Sequence, residues 1–203
     1  MRKLEWIILY VFLGAVAPIA FFLTFWWSSF RYVAEGMIPA VAITGLLVGI
    51  ILDVIFLKRW VKRAYQLNLG WLIAIYLFYS IGVFGFFMGV PIFNLAVGIT
   101  AGYYIGRRSY HGKLASPKKE QLIRQTAVFA VLVLAVLSTI SAYWALSDSS
   151  VGANLEGMFH LPFSVTKTMI VGIILVGGIA SLILQYFLTQ KTALWAVRGE
   201  PGS

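Results

Sequence analysis

Residues 76–108, YLFYSIGVFGFFMGVPIFNLAVGITAGYYIGRR, decide how this chain is read. The stretch is apolar nearly throughout, is broken at Gly89-Val90-Pro91, and carries glycines at helical spacing. On a helix Gly82, Gly85 and Gly89 share one face, at i, i+3 and i+7. Beyond the turn at Pro91, Asn94, Gly98, Gly102 and Gly106 follow at i+4 steps along a second ridge. Glycine in a helix interior costs about 1 kcal/mol relative to alanine, and in lipid its usual use is to let two helices approach closely. Both ridges therefore read as helix-packing faces of a membrane hairpin.

The composition outside this stretch agrees. Of 203 residues, 61% are hydrophobic and only 11% charged, and the mean hydropathy is +0.89. Soluble domains carry about 25% charged residues, and apolar runs of about 20 residues are read as membrane spans. The expectation is an all-α polytopic transmembrane bundle, a single integral membrane domain over 1–203. Its six spans are placed at about 5–27, 36–57, 70–88, 91–106, 125–146 and 168–190, as three hairpins. The first is read as a retained span, because its apolar run ends in Trp26-Trp27 and not in a small-residue cleavage site. The fourth is short: residues 91–106 rise about 24 Å against a hydrocarbon core of about 30 Å. It either thins the bilayer locally or enters it as a partial helix.

Charge sets the orientation. Placing the N-terminus, 58–69, 107–124 and the C-terminus on one side gathers there every one of the 16 Lys and Arg residues except Arg31 and Lys167. By the positive-inside rule both termini are cytoplasmic, and the location expected is a cell (inner) membrane. Residues 70–106 must then begin and end on the cytoplasmic side, as two crossings or as a re-entrant hairpin; two crossings is the reading adopted. Trp6, Trp60, Trp71 and Trp195 fall at the inner boundary and Trp26, Trp27 and Trp144 at the outer one, the aromatic belt of a membrane protein. The net charge of +9 follows from the same rule. It points to anionic lipids at the cytoplasmic basic loops and not to nucleic acid. There are no cysteines, which excludes thiol chemistry and thiolate metal sites.

Several local features refine the spans. Pro18 has no N–H for the Gly14 carbonyl, so a kink is expected between them. Val41, Gly45, Gly49 and Asp53 form an i+4 ridge in span two, with Gly45 and Gly49 as a packing pair. Ser116-Pro117 reads as an N-cap and first helical position, so that helix five begins in the cytoplasm. The apolar second half of the outer loop 147–163 is expected in the interface. Val48-Gly49-Ile50, Val97-Gly98-Ile99 and Val171-Gly172-Ile173 recur at similar depths, either as a three-hairpin repeat or as a product of composition.

Few residues carry chemistry. Asp53 is the one carboxylate well inside an expected span, where a charge costs roughly 2.5–3.5 kcal/mol. It is a candidate proton or cation site, or else an ion-pair partner of Lys58 or Arg59. Asn94, one turn after Pro91, caps or bridges helices, or else marks a half-helix N-terminus suited to a solute. Ser138, Thr139 and Ser141 read as back-bonded hydroxyls or as pore-lining groups. His111 and His160 lie in loops on opposite sides and share no metal site. With no paired carboxylates, nucleophile elbow or phosphate loop, enzymatic activity and cofactors are not expected. The functional expectation is a small transport protein or channel for an ion or small solute, working as an oligomer. The alternative is a non-catalytic subunit that anchors or assembles a larger membrane complex.

Overall fold

Long apolar segments must pair their backbone N–H and C=O groups internally when no water is at hand, and an α-helix does so within one segment. The computed structural model describes residues 3–198 and is all-helical, with no strand among the described residues. In chain order the helices are α1 (Lys3–Gly14), α2 (Val16–Tyr32), α3 (Ile38–Lys62), α4 (Leu69–Phe86), α5 (Asn94–His111), α6 (Ser116–Ser147), α7 (Val151–Phe159) and α8 (Lys167–Arg198). Short 3-10 turns at Glu35–Met37, Ala64–Gln66 and Pro91–Phe93 precede or follow them. Arg2, one of the basic residues assigned to the cytoplasmic side, lies outside the described residues.

Among the described residues five helices are long and apolar enough to cross a membrane: Glu5–Tyr32 (α1 with α2), Glu35–Lys62, Leu69–Phe86, Ser116–Ser147 and Lys167–Arg198. The expected sixth, over 91–106, is not among them. Proline at 91 opens a 3-10 turn instead of the α-helix, so α5 starts at Asn94 and runs on to His111, 18 residues in all. That shift brings Arg107, Arg108 and His111 into the helix and dilutes its apolar character.

Helix contacts divide the chain into two units, Met1–Leu69 and Gly70–Ser203. In the first, α2 and α3 pack antiparallel. A Cβ at Gly45 would stand 2.6 Å from the Phe21 carbonyl oxygen, and one at Gly49 2.5 Å from Pro18 Cα. Backbone atoms cannot turn aside as side chains can, so the two helices close to this distance only over glycine. The helix is interrupted at Ala15, between α1 and α2, within the Gly14–Pro18 segment where proline withholds its N–H.

In the second unit α5 and α8 run parallel along the other glycine ridge. A Cβ at Gly98 would collide with the Gln185 amide, one at Gly102 with the Thr189 carbonyl oxygen and one at Gly106 with the Ala193 carbonyl oxygen. Helix α6 completes this core: Ile105, Ile123 and Ala193 cluster at one level, and Tyr76, Val97 and Ala130 at another. Helix α4 joins through Tyr76, Ser80 and Phe84, with Phe84 stacked on Trp144 at 6.0 Å.

The packing expected of Gly82 and Gly85 is corrected by this arrangement. Both are exposed, and nothing stands within 4 Å of a Cβ at either. The reason is angular: α4 turns its Tyr76-Ser80-Phe84 face inward, and the glycines lie off that face. Gly89 does not continue the ridge either. It lies in the turn after α4 at φ +80°, accepts no side chain without strain, and donates its N–H to the Phe84 carbonyl at 2.8 Å. Ser116 is likewise the first residue of α6 and not its cap. Its hydroxyl donates to Glu120 Oε1 at 3.2 Å, leaving the backbone N–H groups uncapped.

Candidate functional site

Two places in the fold hold polar groups among the long apolar helices, one in each unit. The first is built on the α3 ridge. Gly45 meets Phe21 and Phe25, Gly49 meets Ala17 and Pro18, and one turn further Asp53 meets α1 at the helix interruption. A Cβ at Gly14 would stand 3.7 Å from Asp53 Oδ2 and 2.9 Å from Leu57 Cδ2. Asp53 Oδ1 is buried without a hydrogen-bond partner. The ion pair with Lys58 or Arg59 is not formed among the described residues. Five and six residues along a helix point away from the starting face, whereas pairing needs three or four. A carboxylate therefore faces the segment in which Gly14 lacks the amide donor that Pro18 cannot supply. Such a group accepts a proton or a small cation, with backbone carbonyl oxygen close at hand.

The second place is the interior of the α4–α5–α6–α8 unit. Asn94 is 2% exposed and both its amide atoms lack a partner. Gln185 is fully buried; its Nε2 donates to Thr189 Oγ1 at 2.9 Å and its Oε1 is unpartnered. Hydroxyls on the other helices mostly return to their own chain: Thr24, Thr44, Thr100, Thr126 and Thr139 each donate to the carbonyl four residues before. Ser138 does not, and its Oγ is buried without a partner. Asn94 caps no helix through its side chain: the residue before α5 is Phe93, and no side-chain cap bond forms there. Asp53 and Asn94, the two residues singled out as candidates, thus belong to separate units.

Gln185 and Ser138 were not separated from their neighbours by sequence reasoning. Gln185 lies near the end of an expected span, as glutamines at the interface do. The signal that could have found it is its i+4 spacing to Thr189 and Ala193, opposite the Gly98-Gly102-Gly106 ridge. Arg107 was assigned to a solvated basic loop. It is instead 8% exposed in the last turn of α5, donates through a guanidinium N–H to the Ala196 carbonyl at 3.3 Å, and lies 4.7 Å over the Tyr110 ring. It ties the C-terminal ends of the two parallel helices together. No group of three or more His, Cys, Asp or Glu residues able to hold a metal occurs among the described residues.

A comparison of the chain with protein families, with curated proteins and with solved structures finds no match.

Proposed function

We propose that this chain is a small membrane transport protein whose first unit binds a proton or small cation at Asp53. The observation that supports it is the unpaired, partly buried carboxylate set against the proline-interrupted first span. Carboxylates at membrane depth are costly and mark ion or proton pathways more often than packing sites. Interrupted helices supply carbonyl oxygens at the same point. The proposal includes six crossings in three hairpins, with α5 as a short crossing and both termini cytoplasmic. The exposed Lys113, Lys118 and Arg124 support contact with anionic headgroups on that side.

The test is flux in proteoliposomes under an imposed proton or sodium gradient. Asp53→Asn removes the charge and keeps the shape, so flux is expected to fall to the protein-free rate while the thermal unfolding midpoint holds or rises. Flux equal to wild type would remove Asp53 from the mechanism.

A second reading, a non-catalytic membrane subunit, is favoured by the outer half of α8. Gly172 and Gly177 there meet nothing within 4 Å and border an open apolar groove with Phe163 and Met169. A stoichiometric partner on purification from native membranes would support that role, and a clean homo-oligomer would oppose it.

A further inference from the structure

Two buried amides meet where α5 packs on α8. Asn94 lies one turn before Gly98 on α5. Gln185 of α8 meets α5 at Gly98. The two helices therefore each contribute an amide within about one helical turn of the other. Asn94, Gln185 and Ser80 are all at least 98% buried.

Such an arrangement is expensive if left alone. A buried donor or acceptor without a partner costs about 1–3 kcal/mol, and Asn94 Oδ1 and Nδ2, Gln185 Oε1 and Ser138 Oγ are all unpartnered. Unpaired buried groups of this kind call for a bound molecule that completes them.

The charge pattern selects its class. Between 69 and 86, 94 and 106, 125 and 147, and 168 and 190 there is no Asp, Glu, Lys, Arg or His. A charged occupant would face no counter-charge in a medium that penalises ions by several kcal/mol. The two amides offer both donors and acceptors. The Gln185 amide already fills the space over Gly98, so the occupant is small.

We infer that the Asn94–Gln185 pair between α5 and α8 is a binding and passage point for a small uncharged solute that both donates and accepts hydrogen bonds. Water, urea and short polyols share that chemistry. This goes beyond the Asp53 reading, and either one can fail without the other.

The test is stopped-flow light scattering of proteoliposomes with three probes. Water is followed as shrinkage under a sucrose gradient, and urea and glycerol as reswelling. Wild type is expected to exceed protein-free liposomes for at least one probe. Asn94→Leu and Gln185→Met replace the amides by apolar groups of similar size and are expected to return that rate to the protein-free value with the unfolding midpoint unchanged or raised. A wild-type rate equal to protein-free liposomes for all three probes would overturn the inference. So would wild-type rates in the folded Asn94 and Gln185 variants.

Discussion

At Gly102 an added methyl group meets the Thr189 carbonyl, a backbone atom that α8 holds in place. Gly102→Ala is expected to lower stability by about 1–3 kcal/mol, as overpacking does, measured as a fall in the unfolding midpoint in detergent. Gly82→Ala meets nothing and gains helix propensity, so that change is expected to be neutral or to stabilise by up to about 1 kcal/mol. Both glycines lie on ridges of helical spacing. What separates them is which face of its helix each occupies, and that depends on partners far along the chain. Asp53 was legible for the opposite reason, because the Gly45-Gly49 ridge runs straight into it. Asn94 could be singled out by type and position, but its lack of hydrogen bonds could not. Between α6 and α7, the Ser150 amide donates to Asp148 Oδ1 at 2.8 Å and holds that carboxyl below its ordinary range. A lowered folded-state value means the bond's contribution is present above the ordinary carboxylate range and is lost as pH falls through the depressed value. The Ser150 amide resonance is expected to shift upfield along that acid limb, and a flat response would contradict the bond.

Among elements, α5 carries the largest difference between pattern and fold. Its apolar run and glycine ridge could be read directly, and the ridge does face a neighbour. Which neighbour could not be read, because hairpin logic favours the adjacent α4, whereas the glycines lie on α8, nearly ninety residues away. The complementary row on α8 is Gln185, Thr189 and Ala193, in which only one residue is small and apolar enough to suggest packing. Arg107 escaped for a related reason: its partner is the Ala196 carbonyl, a backbone acceptor that side-chain patterns do not display. The three Val-Gly-Ile tripeptides also part company at this scale. Gly49 packs on α2 and Gly98 on α8, but Gly172 meets nothing within 4 Å. The environments of the three glycines are not equivalent, which favours composition over a three-hairpin repeat as the source of the tripeptides.

For the whole molecule, the expectation of six spans with cytoplasmic termini rests on charge and tryptophan placement, patterns that are global by nature. The five long apolar helices follow from composition alone. The short α5 is where topology turns. Because the chain has no cysteine, single cysteines at Val90 and Lys113 can be labelled with a membrane-impermeant maleimide. Two crossings place them on opposite sides, with Lys113 cytoplasmic; labelling of both from one side would make 70–106 re-entrant. The central claim, however, is that the protein moves an ion or proton through its own fold. Its most direct test is the purified chain in liposomes under an imposed sodium or proton gradient, read with an entrapped ion-sensitive dye. The account predicts dye responses faster than in protein-free liposomes for at least one gradient. Responses identical to protein-free liposomes under both gradients would contradict it.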